Sequence, residues 1–208
     1  MSVDVIEQAY YQIHDQLPSL PEPFCYWKKK SSDGRSIPKT LSGDYRPIFN
    51  FVYALDLRNN LAELRMCIDY HRSLYSLHKP GLTFGWQHRL VICQMVAGIF
   101  EGILLDLFEF LTVRKEENKV LEVLGKQKIE NKGFGFGALI DVFSKAGVFD
   151  ENWQKYLLNL NYLRNTVHPR GLNSEDASFQ KNPIVTDSIE NLCIRLDKFI
   201  ELTKEQYK

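Results

Sequence analysis

The stretch from Leu90 to Leu111 constrains this chain more than any other, because it is apolar in almost every direction around a helix axis. Only a narrow stripe of Gln94, Gly98, Glu101, Gly102 and Glu109 interrupts it. Such a helix has to be enclosed, either at the centre of a bundle or in a subunit interface. Its length would also suit a bilayer, but it carries Gln94, Glu101, Asp106 and Glu109. An acid near a bilayer centre costs roughly 2.5–3.5 kcal/mol on insertion scales, so a buried helix is the better reading. Gly98 and Gly102 would let a second helix approach closely. Glu101 between them then needs a cationic or hydrogen-bonding partner.

The rest of the chain supplies helices to surround it. Ile6, Ala9, Tyr10, Ile13 and Leu17 recur at helical spacing over residues 3–17, and Pro18, Pro21 and Pro23 end the pattern. Residues 24–47 read as loop, with turns at Asp33-Gly34 and Gly43-Asp44 and a solvated Lys28 to Lys30 run. From about residue 50, Leu57, Leu61, Leu64, Ile68 and Tyr75 mark one helical face, which Pro80-Gly81 stops. Residues 114–132 are highly charged and read as a solvated helix and loop. A short helix follows the GFGFG run at 133–137 and ends at Gly147. Another runs from Trp153 to Val167, and His168-Pro169 closes it, because proline disfavours helical backbone at the residue before it. Residues 171–183 read as loop. Asp187, with Glu190 three residues later, reads as a cap for a last helix that buries Ile189, Leu192, Cys193, Leu196, Phe199 and Ile200. The expectation is an all-α protein with an N-terminal helical extension over 1–80, looped at 18–47, and a helical bundle over 81–208.

Lys plus Arg and Asp plus Glu both number 26 in the 208 residues, so the net charge is zero. A broad basic surface that neutralises many phosphates is therefore not expected, whereas a small local basic site is. Cys25, Cys67, Cys93 and Cys193 are far apart and form no CxxC pair, which points to free thiols in a reducing compartment and away from zinc. The N-terminal segment MSVDVIEQAYYQIHDQL lacks the basic and apolar regions of a secretory signal, so a cytoplasmic location and no membrane association are expected.

Three segments invite chemistry. Gly133 to Gly137 could cradle phosphate, but no Lys-Ser/Thr follows it and no strand pattern precedes it. Phe134 and Phe136 are better read as seating a helix. His71, His78 and His88 lack the spacing and acidic company of a metal site and read as surface or satisfied interior histidines. The segment Asn161 to Arg170 is different. At about 100° per residue from Trp153, Leu157, Leu160 and Val167 share one face; Arg164 falls in its middle and His168 beside it. A guanidinium there must meet a carboxylate, snorkel out at the helix end, or line a polar cleft. One account is a buried Arg164–Glu101 ion pair with His168 as a polar helix terminator. The other is a phosphate site, in which Arg164 offers a bidentate fork, His168 titrates near neutrality and Asn165 adds a neutral donor or acceptor. Geometry alone favours the ion pair.

The run Phe136-Gly-Ala-Leu-Ile-Asp141, then Gly147-Val-Phe-Asp150, then Leu160 through Arg164, Asn165 and His168 to Pro169 resembles the HEPN superfamily of nucleotide-binding helical domains. The family pairs an arginine, usually followed by a polar residue, with a histidine a few residues on at a helix end. Here only Asn165, Thr166 and Val167 intervene, a shorter interval than the family's usual one. The resemblance covers about residues 85–204 and includes the long apolar helix that carries Glu101. It implies a HEPN-like antiparallel helical bundle that dimerises with its Arg–His motifs at the interface. It further implies a metal-independent RNA endonuclease of a toxin–antitoxin or phage-defence system, with no cofactor and no metal. Arg164, Asn165 and His168 would be catalytic, and Glu101 and Arg170 supporting. The implied partners are a second copy, RNA or a nucleotide, and an antitoxin or other protein. Some members of the family are non-catalytic modules that bind a nucleotide or a protein, so fold alone does not decide the activity.

Overall fold

A computed structural model describes Tyr26 and residues 28–78, 82–114, 119–126, 135–166 and 182–207. The helix expected at 3–17, Cys25, Phe134, His168, Arg170 and residues 171–181 of the loop expected at 171–183 lie outside the described residues; the last two residues of that loop instead cap and begin a helical turn, at Asn182 and Pro183.

The described chain is mostly helical. Two short antiparallel strands come first, β1 (Lys28–Lys30) and β2 (Ser36–Pro38), with Lys29 opposite Ile37. They correct the reading of residues 24–47 as loop throughout. The turn expected at Asp33-Gly34 is present, and it is what closes this hairpin, with Gly34 at φ 81°. A π-helical turn at Leu41–Tyr45 and a 3-10 turn at Arg46–Phe49 bury Tyr45 and Phe49. The long helices follow as α1 (Leu55–His78) and α2 (Leu82–Arg114). Shorter ones complete the set: α3 (Lys119–Lys126), α4 (Phe136–Lys145), α5 (Glu151–Thr166), the single turn α6 (Pro183–Thr186) and α7 (Ile189–Lys204).

The enclosed helix is α2, which extends several residues beyond the Leu90–Leu111 stretch at each end. It touches α1, α4, α5 and α7. By length and composition it is the one described helix able to cross a membrane, yet Ile92, Val96, Ile99, Phe100, Ile103, Leu104 and Leu107 are all buried against protein. Its glycines do what their spacing suggested. A Cβ added at Gly102 would stand 3.1 Å from Leu61 Cδ2 and 3.4 Å from Leu57 Cδ1, so α1 crosses α2 directly over this position. One apolar cluster runs through the described chain, from Phe49, Leu61 and Ile68 through α2 to Leu160 and Phe199. At its heart Phe100 stacks on Phe199 with ring centroids 4.0 Å apart, and Phe149 and Trp153 lie beside Phe199.

The helix ends follow local chemistry. Asp106, an acid buried in α2, accepts from the backbone N–H groups of Tyr53 (2.7 Å) and Ala54 (2.8 Å), and so caps the start of α1 from a neighbouring helix. The Tyr207 hydroxyl donates to the same carboxylate at 2.8 Å. Helix α4 starts inside the glycine-rich run with Phe136 buried, and ends before Gly147 at φ 80°, where only glycine is unstrained. The last helix is capped one residue later than the sequence suggested. Ser188 is its N-cap and accepts from the Asn191 N–H at 3.0 Å, while Asp187 braces the Ser188 N–H and the Asn191 side-chain amide. Its expected buried face, from Ile189 to Ile200, is buried throughout.

Candidate functional site

Glu101 of α2 and Arg164 of α5 face each other where the two helices pack. The approach is bidentate: Arg164 Nη1 donates to Glu101 Oε1 at 3.0 Å, and Nη2 lies 2.7 Å from Oε2. The carboxylate required by an arginine on the apolar face of α5 is therefore the one isolated on the polar stripe of α2. The pair is not sealed, since the side chains are 38% and 23% exposed. A guanidinium held this way has a fixed plane, while its Nε–H and outer Nη hydrogens remain directed away from Glu101.

Asn165 points elsewhere. Its amide donates to Asn161 Oδ1 at 3.5 Å along the same helix, on the exposed side. Asn161 in turn lies against the first turn of α4, where a Cβ on Gly137 would come within 3.1 Å of Asn161 Nδ2. Gly137 thus matters for close helix approach, a role that the reading of Phe134 and Phe136 as seating a helix did not include. The structure brings Glu101 and Arg164 together, while the Asn165 side chain is turned to Asn161 and does not join the pair. The expected contributions of His168 and Arg170 lie outside the described residues.

The histidines pair across helices. His71 of α1 meets His88 of α2, with ring centroids 5.6 Å apart. Burial, and secondarily the charge on His88, pull the His71 pKa below its ordinary value. Among the described residues His71 Nδ1 is buried without a hydrogen-bond partner, and no group of three or more His, Cys, Asp or Glu is placed to hold a metal ion.

Sequence reasoning missed a buried charge network on α1. Asp69 accepts from Lys39 Nζ at 3.0 Å and from the Tyr45 hydroxyl at 3.1 Å, and pairs with Arg72 Nη1 at 3.3 Å. Arg65 bridges to Asp197 at 3.2 Å, and Arg72 to Glu190 at 3.3 Å, so α1 is tied to α7. Tyr26 completes the set: its hydroxyl donates to Glu190 at 2.6 Å and its ring lies under the Arg72 guanidinium at 3.8 Å. Burial, reinforced by the Asp69 charge, holds the Tyr45 hydroxyl protonated far above the usual phenol range. The signal was available. Arg65 follows Leu61 by four residues and Arg72 follows Ile68 by four, so both cations lie on the apolar side of α1, as Arg164 does on α5.

Compared with known proteins, the chain matches no protein-family model, no curated protein and no solved structure.

Proposed function

We propose that this chain is a metal-independent RNA endonuclease of the HEPN type, acting in the cytoplasm as a homodimer and serving as a toxin or phage-defence component. The observation that carries the reading is the half-exposed Arg164, whose guanidinium Glu101 fixes from behind at the end of α5, four positions before His168 in the chain. In this mechanism the His168 imidazole takes the proton of an RNA 2′-hydroxyl, whose oxygen attacks the adjacent phosphorus. The bond from phosphorus to the 5′-oxygen breaks as that oxygen takes a proton from water, giving a 2′,3′-cyclic phosphate and a 5′-hydroxyl. Arg164 offsets the charge that builds on the phosphorane, where a preorganised donor is worth most. Asn165 orients the phosphate or the imidazole, and Glu101 positions Arg164 without touching substrate. Arg170 adds a cation for the flanking backbone.

A second reading is a non-catalytic helical module that binds a nucleotide or a partner protein. It is favoured by the engagement of both Arg164 terminal nitrogens with Glu101, and by the zero net charge. Purified full-length protein incubated with varied RNAs in EDTA separates the two. The nuclease reading expects cyclic-phosphate ends, lost in His168→Ala and in Arg164→Ala proteins that keep their helical circular dichroism. A folded dimer that cleaves none of them selects the binding module.

A further inference from the structure

The seam between α1 and α2 has one polar end. Its contacts fall in register: a Cβ on Gly102 would meet Leu61 and Leu57, and one on Gly98 would stand 3.6 Å from Leu64 Cδ1. Contacts therefore climb α1 as they descend α2, and two turns beyond Leu64 the seam reaches His71, set against His88. The ring centroids are 5.6 Å apart and the planes 62° from parallel, an edge-on contact. Between this pair and the glycines, Ile68 of α1 and Ile92 and Val96 of α2 are buried.

Proton chemistry sets the histidine end apart from the rest. A neutral imidazole has one donor and one acceptor nitrogen, whereas the imidazolium donates from both. His71 Nδ1 is buried and has no hydrogen-bond partner among the described residues. With both nitrogens protonated, an N–H there has no acceptor in the closed seam and forfeits its hydration. A charge on His88 opposes one on His71 across the same contact. The surrounding groups do not offset this. On α1, Cys67 and Tyr75 lie one turn to either side of His71, and the Tyr70 ring is 6.1 Å away. On α2, Arg89 follows His88 and brings no negative charge. Asp69 is taken up by Lys39, Tyr45 and Arg72, and Arg72 also by Glu190 of α7. Among the described residues no carboxylate pairs with either imidazole.

We propose that His71 and His88 form a proton-operated latch, which keeps this end of the α1–α2 seam closed while His71 is neutral and opens it to water once His71 is protonated. Opening lets the Nδ1–H reach water and separates the two rings. The Gly98–Gly102 half of the seam closes on leucines and does not respond. Because burial pulls His71 down, the latch operates below the ordinary histidine value of 6.5. It works whether or not the chain cleaves RNA, and so stands apart from the nuclease reading.

Backbone hydrogen exchange of the full-length protein at about pH 7.5 and about pH 5.5, corrected for the intrinsic pH dependence of exchange, tests the latch. Amides of residues 67–75 and 88–95 should lose protection by about tenfold or more at the lower pH, while those of 57–64 and 98–105 keep theirs. His71→Phe, which keeps a ring but takes no proton, should hold the end closed at both pH values. His88→Gln, which removes the opposing charge, should shift the opening to lower pH. Unchanged protection of 67–75 and 88–95 in the wild type overturns the proposal. So does a loss spread equally over α1, α2, α5 and α7, which is general acid destabilisation. Acid opening that persists in a folded His71→Phe also overturns it, since another group would then carry the proton. If His71→Phe already loosens the seam at the higher pH, His88→Gln decides, and an unshifted response there overturns the latch.

Discussion

An arginine on the apolar face of α5 has two jobs open to it, and the 38% exposure of Arg164 bears on both. A pair that open to water contributes only about 0–1 kcal/mol, so stability alone does not account for its bidentate geometry. Glu101→Gln should therefore cost about 1 kcal/mol or less in urea unfolding. If Glu101 positions Arg164 for catalysis, the same substitution lowers kcat on the order of tenfold or more with little change in KM, because misplacing a charge-stabilising group harms the transition state first. A purely structural pair would leave kcat unmoved. His71 provides a pH readout. Its folded pKa lies below the ordinary 6.5, so the unfolded chain takes up the proton first as pH falls. Stability attached to neutral His71 is full above pH 6.5 and is lost as pH falls through that value towards the lower folded one. Melting temperature should drop over this window in the wild type and less steeply in His71→Gln. Burial pushes the Cys93 thiol up to about 12 and the Cys193 thiol to about 11, so iodoacetamide at pH 8 should label the partly exposed Cys67 before either. At this scale Arg164 and Glu101 were legible because each interrupts an apolar face with a charge. Arg65, Asp69 and Arg72 obey the same logic, but their signal is weaker, because α1 carries many other charges and its apolar pattern looks complete without them.

Among the elements, the crossing of α1 over α2 depends on the missing side chain at Gly102. Gly102→Val would drive methyl groups into Leu61 and Leu57 and should destabilise by about 1–3 kcal/mol or more in chemical unfolding. Asp106 is the other fixed point, since one buried carboxylate accepts two backbone N–H groups and the Tyr207 hydroxyl. Asp106→Asn would turn an amide donor toward those donors and should cost about 2–3 kcal/mol, measured the same way. Helix periodicity revealed α1, α2, α4, α5 and α7, because each buries a stripe of large residues. It missed the β1–β2 hairpin, where three lysines in a row give no alternation to read, and the single turn α6, which is too short to show a period. The shift of the last cap from Asp187 to Ser188 has the same origin: both are good cap residues, and packing rather than propensity selects between them.

For the molecule as a whole, the acids in its most apolar helix explain how such a helix sits in this fold. Glu101 meets Arg164 and Asp106 caps α1, so these two acids are matched within the protein, while Glu109 lies on the exposed side of the helix. The all-α class followed from the greasy helix and its neighbours. The dimer proposed for catalysis would set two Arg164 side chains across one interface, and sedimentation should then give twice the monomer mass. The most direct test of the central claim is RNA cleavage in EDTA by wild type and Arg164→Lys, with unfolding measured on both. The account predicts nearly equal stability and a loss of cleavage of about a hundredfold or more, because lysine keeps the charge without the planar fork. Equal cleavage by both proteins, or none by a folded wild type, would contradict it and leave Arg164 as one half of a structural ion pair.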